Sequence, residues 1–201
     1  SMDFGDPLKF DYARRLAAAL AYIALANTDK VTFTAAAVDV ETDTFLGAPS
    51  GTVRGKPGIL RIMDMLDSLR PAGRTDLDAS LARFALRTRR AGLVIVISDF
   101  LSEPGYEEGI KRLRYGKHEV VLAQVLSPQE LQPELLGDVR LVDSETNAGV
   151  DVSANRATLQ AYARRLAAFL ADIESFAHRH ACSYLLANTK TPFEELVLRQ
   201  F

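Results

Sequence analysis

The chain has 201 residues, of which 48% are hydrophobic and 25% charged, ordinary values for a folded globular protein. This composition excludes a disordered chain, a collagen and a disulfide-stabilised miniprotein. Lys plus Arg number 24 against 26 Asp plus Glu, a net charge of −2, which argues against a protein whose main task is to bind nucleic acid. The single cysteine, Cys182, excludes an internal disulfide and a multi-cysteine zinc site.

The apolar runs of the sequence are short. The β-branched run Leu93–Ile97 and the longer, alanine-rich run Leu16–Ala26 are both well below the roughly 20 residues of a membrane-spanning helix. We therefore expect no membrane segment in this chain. Its lone cysteine is consistent with a reducing, cytoplasmic compartment. No low-complexity linker divides the sequence, so we predict a single domain over residues 1–201.

The first half of the chain alternates helical patterns with strand and loop patterns. From Leu8 to Thr28 apolar residues recur every fourth position, which predicts a helix with Asp6 as its N-cap. Residues 30–38 predict a strand, and the glycine- and proline-rich residues 42–58 a loop or loose hairpin. Two more helices are predicted over residues 58–70 and 76–90.

The second half continues this alternation. Leu93–Ile97 is an apolar, largely β-branched run, typical of a strand covered on both faces. The elements predicted after it are a basic helix 106–114, a strand 120–126, an acidic helix 128–136, a hairpin of 139–143 with 149–152, a helix 155–180, a strand 183–187 and a helix 192–200. Together they predict an α/β fold with a mainly parallel, doubly wound sheet covered by helices on both faces.

Two helical segments are nearly identical. Tyr12–Ala21 reads YARRLAAALA, and Tyr162–Ala171 reads YARRLAAFLA. The match does not extend beyond these segments, so we interpret them as two amphipathic helices with similar packing rather than as an internal duplication. The alanine-rich face would let either helix lie close to a sheet.

Oxygen-bearing side chains follow the strongest predicted strand and precede a predicted helix. In parallel sheets ligands bind beyond the carboxyl ends of the strands, which singles out Ser98-Asp99-Phe100 and Gly73-Arg74-Thr75-Asp76. Hydroxyls and one or two carboxylates suffice to hold Mg²⁺, which keeps several waters. The alternative is that Thr75 or Asp76 caps the helix and Asp99 caps a turn. The pattern alone leaves both interpretations open.

Other catalytic patterns are weaker. Gly51–Pro57 resembles a phosphate-binding loop, but the glycine spacing is one residue short and Pro57 replaces the required Ser or Thr. Cys182 lies near His178 and His180, which allows a cysteine nucleophile. A small buried residue next to histidines at a helix C-terminus explains this group more simply.

The segments Gly73–Leu77 and Leu93–Phe100 together resemble a von Willebrand factor A-type domain. Such domains build a metal-ion-dependent adhesion site from an Asp-x-Ser-x-Ser motif after the first strand, a threonine, and an aspartate after a buried strand. The resemblance implies that Thr75 is the second element, Asp99 the third and Ser1 the last serine of the first. It implies a three-layer sandwich that is N-terminally truncated here and lacks its first strand.

More specifically, the chain resembles the DUF58 family of bacterial and archaeal proteins, often encoded beside MoxR-type AAA+ ATPases. The matching segments run in order along nearly the whole chain and include Phe4-Gly5 with Lys9, Arg89–Leu93, Ser98–Phe100, Lys117–Val121 and Asp143–Thr146. This resemblance implies a non-enzymatic protein-interaction module with Mg²⁺ or Mn²⁺ at Ser1, Thr75 and Asp99, and no catalytic residue. Its implied partner is a MoxR-type ATPase, which it would help to assemble or mature client complexes.

Three further expectations accompany this interpretation. A missing strand would leave backbone groups unpaired, so we expect two copies of the chain to associate. The resemblance also allows for membrane helices before Ser1, with this chain as the cytoplasmic part. The alternative function is a divalent-metal-dependent hydrolase of phosphate or acyl substrates that uses Asp76, Asp78 and Asp99 as an acidic cluster, although the sequence offers it no nucleophile.

Overall fold

The structure, a computed structural model, describes residues 2, 5–6, 8–36, 38–39, 44–45, 51–70, 75–88, 90–133, 137–142 and 149–200. Within them the chain is an α/β protein with a parallel three-stranded sheet. The elements in chain order are α1 (Lys9–Ala26), β1 (Lys30–Val31), β2 (Val38–Asp39), β3 (Thr44–Phe45), β4 (Val53–Arg54), α2 (Gly58–Ser68), α3 (Leu77–Arg87), β5 (Leu93–Ser98), α4 (Glu107–Tyr115), β6 (Glu119–Leu126), α5 (Pro128–Leu131), β7 (Gly137–Val142), β8 (Gly149–Ala154), α6 (Arg156–Arg179), β9 (Ser183–Asn188) and α7 (Phe193–Gln200).

The parallel sheet has the strand order β5-β6-β9. Leu93 pairs with Glu119 and Ser98 with Gln124, while Leu126 pairs with Asn188. Parallel pairing places the carboxyl ends of all three strands at one edge. Both faces of β6 are covered, and its residues 120–126 are all buried. The predicted coverage of both faces of β5 is confirmed for residues 94–97, because Val94 and Val96 pack in one cluster and Ile95 and Ile97 pack on the opposite side. Leu93, at the start of β5, is 55% exposed.

Helices cover both faces of this sheet, as the alternating strands predict. Val96, Val120 and Leu122 face one cluster, which also contains side chains of α3, α4 and α6. Val121 and Ala123 face the opposite cluster, which contains side chains of α1 and α7. A third cluster joins α1 to α2 and to the antiparallel pair β1–β4.

Local contacts shorten some predicted elements. The strand predicted over 30–38 is confined to β1 and β2, two-residue strands paired with β4 and β3. The acidic helix predicted to residue 136 ends at Leu131 as α5, and residues 134–136 lie outside the described part. The Asp6 cap was wrong, since Leu8 is the N-cap residue of α1 and makes no side-chain cap bond. Phe10 N instead donates to Met2 O at 2.8 Å.

The two near-identical segments pack differently, contrary to the expectation from their sequences. In α1, Tyr12 and Leu16 are 4% and 0% exposed. In α6, Tyr162 is 39% exposed, and the buried residues lie further along the helix, at Ile173, Phe176 and Ala177. Neither of these helices nor any other in the described residues is long and apolar enough to cross a membrane.

The hydroxyl of Tyr12 is buried without a hydrogen-bond partner among the described residues. Leaving a buried hydroxyl unpaired costs about 1–3 kcal/mol. Burial, followed by the nearby Glu194 carboxylate, raises the pKa of Tyr12 from 10.0 to about 12. Since the folded-state pKa exceeds the unfolded one, the stability that Tyr12 contributes is complete below pH 10 and is lost as the pH rises through about 12.

We therefore expect Tyr12→Phe to keep or raise the free energy of unfolding at pH 7, by up to about 1 kcal/mol. At pH 11 its advantage over the wild type should grow. Tyr184→Phe is the control, because the Tyr184 hydroxyl donates to Gln124 Oε1 at 2.7 Å, and its loss should cost about 1 kcal/mol at pH 7. Urea unfolding at both pH values measures this, and equal losses in the two variants at pH 7 would contradict it.

Candidate functional site

The two segments singled out by the sequence meet at the carboxyl edge of the sheet. Thr75 precedes α3, and Asp99 follows β5. Ser102 joins the two segments, because its hydroxyl donates to Thr75 O at 2.9 Å and accepts from Leu77 N at 3.3 Å. Thr75 and Asp99 therefore belong to adjacent loops, while Ser1, Gly73 and Arg74 lie outside the described residues.

Local hydrogen bonds fix the loop that carries Asp99. Asp99 Oδ1 accepts from Leu101 N at 3.2 Å, and Ser98 Oγ accepts from Phe100 N at 3.0 Å. Phe100 has φ +60°, an uncommon conformation for a residue with a side chain. Its ring is 2% exposed and contacts the Tyr106 ring edge-on at 5.1 Å. This burial holds the turn in place, so the direction of the Asp99 carboxylate is set by the core.

A buried polar pair supports the same loop from the sheet. Gln124 of β6 is fully buried, and its Nε2 donates to Asp99 O at 3.2 Å. Tyr184 of β9 donates to Gln124 Oε1, which orients the amide. Burial, followed by the Glu174 carboxylate, raises the pKa of Tyr184 from 10.0 to about 12, so this hydroxyl remains a donor at neutral pH. Each strand of the parallel sheet therefore contributes to positioning Asp99.

The structure adds Lys9 to this site, a residue that the sequence-based prediction of the site residues missed. Lys9 begins α1 and is 0% exposed. Its Nζ donates to Asp99 Oδ2 at 3.1 Å and to Glu130 Oε1 at 2.6 Å. One signal could have found it, since Lys9 lies three residues before Tyr12 on the buried stripe of α1.

Glu130 is held by the short helix α5. Its Oε2 accepts from Ser127 N at 2.8 Å, and Ser127 Oγ accepts from Glu130 N at 3.3 Å, which completes a capping box. The backbone carbonyl of Glu130 accepts from the Tyr162 hydroxyl of α6 at 2.7 Å. One carboxylate oxygen thus caps α5, while the other receives the Lys9 ammonium. Lys9, Asp99 and Glu130 place one positive charge beside two negative ones.

The acidic residues at the start of α3 have structural partners. Asp76 is the N-cap, and its Oδ1 accepts from Ala79 N at 2.8 Å. Asp78 Oδ1 accepts from Gly109 N at 2.7 Å, near the start of α4. Among the described residues no three His, Cys, Asp or Glu side chains form a group that could hold a metal ion. The acidic cluster of Asp76, Asp78 and Asp99 required by the hydrolase alternative is therefore not formed.

The remaining donors suit a hard cation. Thr75 carries a hydroxyl and Asp99 a carboxylate, the oxygen ligands that Mg²⁺ and Mn²⁺ prefer. Thr75 is half-buried and Asp99 is 7% exposed. The ammonium of Lys9 already lies against Asp99 Oδ2, so the donor types fit a divalent ion, but a fixed positive charge lies next to it.

Cys182 shows no sign of a nucleophilic site. Burial raises the pKa of its thiol, and Arg114 only partly offsets this. Its Sγ donates to His180 O at 3.6 Å. A raised pKa disfavours the reactive thiolate, which agrees with the structural interpretation of this group.

Two solved structures share the fold of this chain. The conserved hypothetical protein BatB from Bacteroides thetaiotaomicron is 15% identical with a TM-score of 0.54, and the similarity covers 98% of this chain and 91% of BatB. An aerotolerance-related membrane protein from Bacteroides fragilis is 14% identical with the same TM-score of 0.54, over 96% and 88% of the two chains. At these identities the similarity is one of fold.

Curated relatives match at the level of sequence. Uncharacterized protein Rv1480 of Mycobacterium tuberculosis is 33% identical over 104 residues, which are 51% of this chain and 32% of that protein. An uncharacterized protein of Mycobacterium avium is 30% identical over 104 residues, or 61% of its length. The match spans about a third of the length of the mycobacterial protein Rv1480. Residues 1–170 match the family described as "Protein of unknown function DUF58", and the chain therefore belongs to the DUF58 family.

Proposed function

We propose that this chain is a non-enzymatic protein-interaction module that binds its partner through a divalent cation held at the carboxyl edge of the sheet. The observation that carries the proposal is the link made by Ser102, which brings the loops of Thr75 and Asp99 together. A von Willebrand factor A-like architecture would place a metal-ion-dependent adhesion site at this point. A parallel sheet with helices on both faces is compatible with that architecture.

Within this proposal, Mg²⁺ or Mn²⁺ is held by three residues: Ser1, Thr75 and Asp99. The bound ion would supply an open coordination position for a carboxylate of the partner. Ser98 and Gln124 keep Asp99 in one orientation through the backbone of its loop. This fixed orientation lowers the entropy lost when the partner binds.

The surroundings of the site suit a protein partner. Leu8, which adjoins Lys9 in sequence, is 40% exposed. Leu101, two residues after Asp99, is 53% exposed. Leu8 also lines a cleft of about 290 Å³, together with Phe10, Asp11, Arg14, Asp67, Leu69 and Arg70. Exposed apolar side chains with charged ones around them are typical of interaction surfaces. The partner we propose is a MoxR-type AAA+ ATPase, as the family resemblance implies.

The proposal predicts metal-dependent retention of this ATPase. The full-length gene product is immobilised, and retention is measured in Mg²⁺ and in EDTA. Chelation, Thr75→Ala and Asp99→Asn should each lower retention by about tenfold or more, because each removes a charged or coordinating contact. Glu108→Gln is the matched control, since Glu108 is an exposed carboxylate on α4 that pairs with Lys111.

Circular dichroism of each variant separates loss of binding from loss of fold. Two substitutions are used because Asp99→Asn also alters the contact with Lys9, whereas Thr75→Ala leaves that contact intact. If retention of the ATPase is unchanged by chelation and by both substitutions, the proposed function is overturned.

A further inference from the structure

We infer that Lys9 is the chain's own cation for Asp99, and that its ammonium competes with a divalent ion for this carboxylate. The inference rests on the proposed function, because it concerns the regulation of the same site. Under it, Lys9 lies against Asp99 in the ion-free state and against Glu130 alone when a divalent ion is bound. Binding of the ion is then weaker than the donors by themselves would allow.

The first support is the position of the ammonium. Lys9 Nζ lies 3.1 Å from Asp99 Oδ2 and 2.6 Å from Glu130 Oε1. The Lys9 side chain has 0% exposure, and those of Asp99 and Glu130 have 10% and 16%. An ion that approaches Asp99 Oδ2 therefore meets a positive charge that bulk water does not screen.

The second support is the uneven geometry of the two contacts. The contact with Glu130 is 0.5 Å shorter than the contact with Asp99, from distances of 2.6 and 3.1 Å. Lys9 can therefore give up Asp99 and keep a carboxylate partner. Glu130 stays in place meanwhile, because its other oxygen accepts from Ser127 N and Oγ at 2.8 and 3.0 Å. The exchange requires no unpaired buried ammonium.

The third support is the balance of charge. Among the described residues, one ammonium lies beside two carboxylates, and an excess of negative charge attracts a further cation. Lys9 neutralises one of the two carboxylates, so it lowers this attraction without abolishing it. A residue with this effect sets the concentration at which the ion binds, which makes Lys9 a determinant of ion affinity rather than a ligand.

The inference is tested by titrating the full-length gene product with Mn²⁺ in isothermal calorimetry. Lys9→Met should bind Mn²⁺ about tenfold tighter than the wild type, because the repulsive charge is gone. Lys9→Arg keeps the charge and should bind as the wild type does. Lys9→Met combined with Glu130→Gln leaves Asp99 as the single carboxylate of the cluster, and we expect it too to bind more tightly than the wild type.

A second measurement keeps the inference testable if Lys9→Met folds poorly. In the wild type with ¹³C-labelled lysine, Mg²⁺ should shift the Cε resonance of Lys9, assigned by its absence in Lys9→Arg. The Lys111 resonance is the internal control, because Lys111 lies on exposed α4 surface beside Glu108. If the protein binds Mg²⁺ but the Lys9 Cε resonance does not shift, the inference is overturned.

The outcomes separate the two proposals. Equal Mn²⁺ affinity of wild type and both Lys9→Met variants overturns the role of Lys9 and leaves the proposed function standing. If these variants bind Mn²⁺ more tightly but partner retention does not depend on the metal, the role of Lys9 is supported and the proposed function is overturned. If no variant binds Mn²⁺, both proposals fail.

Discussion

Replacing Lys9 with methionine is expected to lower the free energy of unfolding by about 3 kcal/mol. Methionine keeps the apolar length of the side chain but removes the ammonium. Asp99 and Glu130 then lose the ammonium that pairs with both of them, although their side chains stay only 10% and 16% exposed. Removing one member of a buried ion pair costs more than the pair contributes, because the remaining charge stays buried. Urea unfolding at neutral pH measures the loss.

Lys111→Met is the matched control for this prediction. Lys111 Nζ lies 2.6 Å from Glu108 Oε1, the same distance as Lys9 Nζ from Glu130 Oε1. The two pairs differ in burial, since the Lys111 and Glu108 side chains are 44% and 67% exposed. An exposed pair three residues apart on a helix contributes little, because water screens it, so Lys111→Met should lower the free energy of unfolding far less than Lys9→Met does. Equal losses in the two variants would contradict the assignment of Lys9 to a buried cluster.

The long elements could be predicted from the sequence because each carries its own periodic pattern. The helix predicted over 155–180 is observed as α6 at residues 156–179, and the strand predicted over 120–126 as β6 at 119–126. The prediction over residues 30–38 overestimated the strand, because its extent depends on partners: β1 pairs with only two residues of β4. A propensity pattern contains no information on the length of the partner strand.

The two near-identical segments show the same limit of local sequence patterns. Tyr12 and Tyr162 begin nearly identical sequences, yet one is 4% and the other 39% exposed. The amphipathic pattern predicts a helix in both places, and both are helical. Burial is decided by what lies opposite the helix, which for α1 is the sheet, α2 and α7, and for this part of α6 is largely solvent. A local pattern therefore predicts the element but not its neighbours.

The candidate site was predictable in position but not in composition. The carboxyl ends of parallel strands share one edge, so Asp99 and the segment of Thr75 could be placed together. Ser102 connects them, and the fixed turn at Phe100 points Asp99 inward. Lys9 is 90 residues from Asp99 in sequence, and no local rule pairs residues at that separation.

The relative position of the two loops depends on how α3 packs against α4. Thr75 and Asp76 begin α3, and α4 follows the loop of Asp99 and Ser102. At Gly109 of α4 the helices are so close that an added Cβ would lie 2.6 Å from Leu81 Cβ and 2.9 Å from Asp78 O. Because Asp78 O is a backbone atom, a Cβ there requires the helices to separate.

We therefore expect Gly109→Ala to lower the free energy of unfolding by about 1–3 kcal/mol through overpacking. In a helix without such contacts the same change would raise stability by about 1 kcal/mol, since alanine is the better helix former. The sign of the effect thus identifies the close approach of α3 and α4. Gly92→Ala is the control, because no atom lies within 4 Å of an added Cβ, and it should change stability by less than about 0.5 kcal/mol. Thermal and urea unfolding of both variants measure this, and a Gly109→Ala variant as stable as the wild type would show that α3 and α4 are not in contact at this residue.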